Sequence, residues 1–369
     1  MFYWTSLPFF RTFFQKGVRL LIHADDLLAF LRRCLNERIG PYREVYLPVK
    51  PDDHDSSAAT LAPLREDSRP ILDGYRAIDP VKLLLYGVRE RVAPFDRESP
   101  AALLAGVKAC DIKALEILDR ALINDDFVDP AYRSWRDRTT VLSFDCTDAA
   151  LTCHCTLVGG KPYAETGFDA NAARFGDHFF LSAGTSKGKA LLDLIRKHVR
   201  VDATHDKIPA AVEARRAEMT ARVEAQNAAF ERPEDYDHLK ASSAEAWKEE
   251  SRECVGCGAC THICPTCYCL ILNDESRAAN FIKVRSYDSC QWNGYARVAS
   301  GASPRPRMDE RFRHRYLCKL VFMKKEFGSL GCTGCGRCTE ACPGGIDFRS
   351  AVRRLMETPP ISRPAAGVG

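Results

Sequence analysis

From about Leu20 to Leu194, short apolar runs alternate with amphipathic stretches. Between Ala24 and Arg33, acidic residues come first, arginines last, and the apolar positions recur at helical spacing, which predicts a helix. Val45–Val49 and Lys82–Tyr86 are apolar runs of strand length. Leu103–Val107 leads into Asp111–Arg120 as a strand–turn–helix unit, Thr140–Phe144 predicts another strand, and Phe179–Ser182 followed by Lys189–Ile195 repeats the strand–helix order. Strands alternating with helices predict an α/β domain over 20–200. Residues 201–250 change character: they are rich in Ala, Glu, Arg and Lys, with Met219, Val223 and Phe230 as sparse apolar positions, and are expected to form a charged helical linker. Further on, Asp309 is followed by Phe312, Tyr316, Leu320, Met323 and Phe327, one face of a helix. Residues 1–19 form an unassigned aromatic extension and 351–369 a tail, disordered past Pro359.

Composition adds bounds. The chain has 369 residues, enough for two or three domains, and is 46% hydrophobic and 28% charged, as soluble globular chains are. A net charge of +4 gives no basic field for nucleic acid. Arg11 breaks the aromatic start, no basic segment precedes it, and no run of 18 apolar residues occurs, so neither a secretory leader nor a membrane span is expected. A cytoplasmic location follows as the expectation, and there clustered thiols usually bind metal.

The 17 cysteines change the picture most. Twelve lie between Cys254 and Cys342, and none lies between Cys155 and Cys254. Cys254, Cys257, Cys260 and Cys264, followed by Pro265, have the spacing C-x2-C-x2-C-x3-C-P, and Cys332, Cys335, Cys338 and Cys342, followed by Pro343, repeat it 78 residues later. This is the run of two-cluster bacterial ferredoxins, in which the fourth cysteine serves the other cluster. Carried onto this chain, one [4Fe–4S] cluster takes Cys254, Cys257, Cys260 and Cys342, and the other takes Cys332, Cys335, Cys338 and Cys264. Zinc sites use CxxC pairs across a spacer, which does not account for the third cysteine or the proline. The 67 residues between the two runs resemble the insertions of helical ferredoxin domains in respiratory iron–sulfur subunits. The expected fold class is therefore α+β multidomain: an N-terminal α/β domain, then a mainly helical two-cluster ferredoxin-like domain over 251–350.

The basic residues Arg305, Arg307, Arg311, Arg313, Arg315, Lys319, Lys324 and Lys325 crowd the predicted helix. They form either a solvated face or a set of cations that favours reduced, more anionic clusters. Cys267, Cys269, Cys290 and Cys318 have no evident partner set and are expected to be buried thiols beside a cluster. His262 sits inside the first run, with a sulfide hydrogen bond and simple packing both open.

Upstream, Cys110 and Cys146 each follow a predicted strand, and Cys153, His154 and Cys155 come shortly after. Ligands in α/β sheets gather beyond the carboxyl ends of strands, so Cys110, Cys146, Cys153 and Cys155 are candidates for a third [4Fe–4S] cluster, with zinc or unligated thiols as alternatives and His154 as a substitute ligand. Cys34 lies on the first helix, as a core residue. The chain has no GxGxxG fingerprint, and Gly184–Ala190 falls short of a Walker A loop.

Several segments resemble one family. Gly106–Asp119, Asp145–Thr147 with Thr152–Cys155, Cys264–Cys269, Asp288–Cys290, Pro304–Pro306, Arg311–Arg315 and Gly331–Pro343 are similar to the beta subunits of cytosolic sulfhydrogenases and the A subunit of anaerobic sulfite reductase. The resemblance spans about 20–350. The chain departs at Lys108-Ala109, where Arg-Pro is usual, at His154, where an aromatic stands, and at Gly344-Gly345. The resemblance implies an electron-transfer subunit between a flavin subunit handling NAD(P)H and a catalytic subunit, a NiFe hydrogenase or a sulfite reductase. The alternative is a catalytic sulfur or polysulfide reductase acting at the upstream cysteines.

Overall fold

The computed structural model describes residues 18–51, 59–95, 98–124, 126–204, 207–277 and 280–358. Most of the N-terminal extension and the segment past Pro359 lie outside them.

The main sheet is built from β1 (Arg19–His23), β2 (Glu44–Val49), β3 (Thr60–Pro63), β5 (Ala102–Val107), β6 (Thr139–Phe144), β7 (Ala170–Phe175) and β8 (His178–Ala183), in the order β1-β8-β7-β6-β5-β2-β3. β2, β5, β6 and β7 run parallel, while β3, β8 and β1 are antiparallel to their neighbours. Every residue of β5 and β6 is buried, as central parallel strands covered on both faces require. Leu103, Leu142 and Phe144 face Phe30, Leu31, Leu192 and Ile195 of two helices, Ala24–Asn36 and Ser186–His198. Leu104, Val107 and Val141 face Ile112, Leu115 and Leu118 of the helix Ala109–Leu122. The strand–helix alternation read from the sequence is therefore present.

Three expectations need correction. Lys82–Leu85 is a short helix, not a strand. A brief apolar run has no period that separates the two, and here Pro80 opens a turn that Tyr86 closes by donating to the Lys82 carbonyl at 2.8 Å. The cysteine-rich region is not mainly helical throughout. It contains a hairpin, β9 (Leu270–Arg277) and β10 (Asn280–Tyr287), to which β4 (Arg89–Ala93) from the N-terminal half adds a third strand. Finally, the tail expected from 351 begins within a helix, Phe348–Glu357, capped by the Asp347 carboxylate accepting from Arg349 N.

The charged stretch does form a helix, Lys207–Gln226, but it is not free-standing. Ile208 and Val212 pack on Leu21, Ala173 and Phe180, and Met219 and Val223 pack on Cys155. Further along, Trp247 joins Phe312, Tyr316 and Phe348 in the core of the cysteine-rich region.

Candidate metal centres

The two ferredoxin runs fold as equivalent halves. Gly258 and Gly336 each adopt a left-handed conformation and open a one-turn helix, Ala259–His262 and Arg337–Glu340, and these two turns touch. Thiols of the two runs also approach one another. Burial raises the Cys254 thiol, and Cys342 and Cys257 are among the groups that act on it electrostatically. Burial likewise raises Cys332, beside Cys338, Cys335 and Cys264. Cys342 of the second run thus stands near Cys254, and Cys264 of the first run near Cys332, while Cys264 also faces Cys260 of its own run. Cys257 is exposed, so the first group reaches the surface, where half-exposed Trp292 donates to the Cys257 carbonyl at 3.2 Å.

The upstream thiols lie beyond the carboxyl ends of two adjacent parallel strands. Cys110 sits in the first helical turn after β5, and Cys146 two residues beyond β6. Burial raises the Cys146 thiol to about 12, with Cys153 adding to the shift, and Cys155 is raised by burial with Cys146 and Cys153. The segment carrying them packs directly on the second run. His154 N donates to the Gly334 carbonyl at 2.7 Å, and Arg76 Nε donates to the Cys335 carbonyl at 2.8 Å. Only glycine fits at 334 and 336: a Cβ there would stand 2.4 Å from Cys155 Cα and 2.5 Å from the Thr152 carbonyl oxygen. Arg337, in the second run, pairs with Asp111 at 2.7 Å, next to Cys110. A cavity of about 440 Å3 opens beside Cys110, Cys155 and Cys332.

His154 is turned toward the second group. Its Nε2 lies 3.7 Å from Cys332 Sγ, its Nδ1 bonds to the Thr152 carbonyl at 2.9 Å, and burial pushes its pKa down to about 4. His262 bonds to the Gly258 carbonyl at 2.9 Å and packs on Trp292 and Tyr287. Cys34 is fully buried in the sheet core.

Among the described residues, no three His, Cys, Asp or Glu side chains converge as a single metal ion requires. A four-iron cubane takes one thiolate per iron and spreads its ligands more widely. The charge of the surroundings fits such a group. Lys82, Lys108, Arg315 and Lys319 are all buried, and among the described residues none makes an ion pair with a carboxylate. Each faces thiols. Burial works against the Arg315 charge, yet Cys260 and Cys338 hold its pKa well above the usual value. Burial is likewise outweighed at Lys319 by Cys264, Cys267, Cys318 and Cys269. Burial wins at Lys82, opposed by Cys267 and Cys264, and at Lys108, opposed by Cys146 and by the Asp73 and Asp145 carboxylates. The basic crowd read from the sequence therefore divides: Arg311, Arg315 and Lys319 point inward, whereas Arg307, Lys324 and Lys325 are exposed.

Residues 253–346 match the 4Fe-4S dicluster domain family. The chain is also 32% identical over 265 residues to sulfhydrogenase 2 subunit beta of Pyrococcus furiosus, across 69% of this chain and 74% of that one. The chain belongs to the sulfhydrogenase beta-subunit family. As an iron–sulfur member of that family it carries [4Fe–4S] chemistry in its C-terminal region. Sequence reasoning could not see that Lys82 and Lys108 are buried against thiols: Lys82 is far from any cysteine in sequence, and Lys108, two residues before Cys110, is brought to Cys146 only by tertiary packing.

Proposed function

We propose that this chain relays electrons within a heteromeric, cytoplasmic oxidoreductase, between a flavin subunit that handles NAD(P)H and a NiFe hydrogenase catalytic subunit, with sulfite reductase as the next choice of partner. The first cluster would be held by Cys254, Cys257, Cys260 and Cys342, the second by Cys332, Cys335, Cys338 and Cys264, and a third by Cys110, Cys146, Cys153 and Cys155. The observation that carries the reading is the pair of buried cations Arg315 and Lys319, which face thiols of the runs and, among the described residues, have no carboxylate ion-pair partner. Buried unpaired cations are costly, and an anionic group among them removes that cost.

An iron–sulfur cluster supplies reversible one-electron storage at such a site. The chain's own residues order the path. Arg315 lies between Cys260 and Cys338 and so bridges the first and second groups. The contact between 152–155 and 332–336 joins the second group to the upstream thiols. Exposed Cys257 and Trp292 mark where electrons enter or leave at the surface. Among the described residues no helix is long and apolar enough to cross a membrane.

The test is anaerobic purification with counts of iron and acid-labile sulfide, and spectra on reduction. Equal iron and sulfide with reducible clusters supports the proposal; zinc without sulfide sinks it. The cavity beside Cys110 and Cys155 favours one second reading, reduction of a sulfur species at the upstream site. Turnover of polysulfide by the isolated chain with an artificial donor would select it.

A further inference from the structure

Cys267, Cys269, Cys290 and Cys318 have no part in the relay described above, and the structure divides them. Cys267 donates to Cys264, whose pKa that bond, with Lys319, holds well below the usual thiol value. It therefore serves the second group from outside.

The other three come together from separate elements. Cys269 directly precedes β9 and Cys290 lies three residues past β10. The hairpin's last pair is Leu270 with Tyr287, and the ladder continues one step as Asp288 N donates to the Cys269 carbonyl at 2.9 Å, so both thiols leave the open end together. Gln291 Nε2 donates to the Arg311 carbonyl at 2.9 Å and Arg311 Nε donates to the Gln291 carbonyl at 3.1 Å, which fastens that end to the helix Met308–Leu317. Cys318 follows this helix and opens a π turn, Cys318–Phe322, in which Met323 N donates to the Cys318 carbonyl. Such wide turns occur mostly where a helix serves a functional site.

The three thiols are near neighbours. Burial raises Cys290 to about 12 and Cys269 and Cys318 push in the same direction; burial also raises Cys269, with Cys318 adding to it. The Tyr295 hydroxyl stands among them, 3.9 Å from Cys269 Sγ, and its ring packs 5.9 Å from His314, one turn before Cys318. Lys319, buried beside Cys318 and Cys269, also faces Cys264, so this group adjoins the second one.

We propose that Cys269, Cys290 and Cys318 ligate a further iron–sulfur cluster, with the Tyr295 hydroxyl at its fourth corner. The inference rests on the iron–sulfur reading of the chain. The thiols belong to a different set of elements from either ferredoxin run and from the upstream site. They are not gathered for a single ion, since among the described residues no such convergence exists.

The experiment uses the full-length chain in its native complex, purified anaerobically, as wild type and as Cys290→Ser and Cys318→Ser. Iron and sulfide per chain are counted, and the clusters are resolved by Mössbauer and paramagnetic resonance spectra. Cys290→Ser and Cys318→Ser should each lose about three or four irons with equivalent sulfide. The ferredoxin-type signals should remain. Unchanged iron in both variants overturns the proposal, as does zinc that disappears with Cys290. Where a variant fails to fold, Tyr295→Phe in the same complex decides: a change confined to one subset of the Mössbauer signal, with the ferredoxin-type signals intact, supports the proposal, and a spectrum identical to wild type refutes it. Absence of all sulfide would instead defeat the relay reading itself.

Discussion

Alanine at Gly334 tests the contact that joins the upstream thiols to the second run. Gly334 has φ +68°, and a Cβ built there would lie 2.4 Å from Cys155 Cα, 2.5 Å from Cys155 N and 2.6 Å from the His154 carbonyl carbon. Ordinary contact begins near 3.4 Å, so one backbone must withdraw by about 1 Å, and no side chain can rotate away to spare it. The left-handed conformation costs alanine about 1–2 kcal/mol, and overpacking a rigid contact adds about 1–3 kcal/mol. Gly345 supplies the control. Its φ is +64°, but nothing lies within 4 Å of its Cβ position, so Gly345→Ala carries the conformational cost alone. The difference between the variants therefore isolates the interloop contact, about 1–3 kcal/mol in favour of Gly345→Ala. Because the chain has more than one folded region, the comparison is best made on the denaturant midpoint for loss of cluster absorbance, with both variants under one set of conditions. Gly334→Ala should also release iron to a chelator sooner. Equal midpoints for the two variants would show that segment 152–155 does not bear on the second run.

Three further outcomes are expected. Cys264→Ser should damage the cluster of Cys332, Cys335 and Cys338 and spare that of Cys254, Cys257 and Cys260, which resonance spectra of the reduced protein can distinguish; the opposite selectivity would refute crossed ligation. Asp111→Asn leaves buried Arg337 without its 2.7 Å partner and should destabilise the protein by about 3–5 kcal/mol, read as a lowered denaturant midpoint. Lys319→Met removes a buried cation facing Cys264 and Cys318, so the reduced, more anionic state loses support and a cluster potential should fall by on the order of 60 mV, equivalent to about 1.4 kcal/mol per electron. Exposed Lys325→Met, screened by water, should leave the titration unmoved.

The parts legible in the sequence are those with a fixed local period. The ferredoxin runs carry their spacing in twelve consecutive positions, and β5 and β6 announce themselves as unbroken apolar runs because both faces are covered. The hairpin did not declare itself because β9 is a largely exposed strand, Leu-Ile-Leu-Asn-Asp-Glu-Ser-Arg, with no buried alternate face to impose a period of two. Its loss hid the relation among Cys269, Cys290 and Cys318, which are 21 and 28 residues apart and meet only because the strands pair and Gln291 binds Arg311. The lysine in Lys82–Leu85 likewise became intelligible only in three dimensions, where its ammonium donates to the Cys267 carbonyl at 3.0 Å.

Charge ties these separate features together. A reduced-thiol protein with no anionic group would leave Arg315 and Lys319 buried and uncompensated, at a cost of several kcal/mol for each ion, and would push Lys82 and Lys108 toward neutrality. That cost is too large to be incidental in a fold whose whole margin is about 5–15 kcal/mol. The cations are also distributed, not pooled. Lys108 serves the upstream thiols, Arg315 stands between the two runs, and Lys319 with Lys82 lies where the second run meets the hairpin cysteines. A single anion would satisfy one of these positions and leave the others exposed to the same penalty. A series of neighbouring anionic groups satisfies all of them, and the same neighbouring groups are what an electron needs in order to pass through the chain. The feature that stabilises the fold and the feature that makes it a conductor are therefore one arrangement.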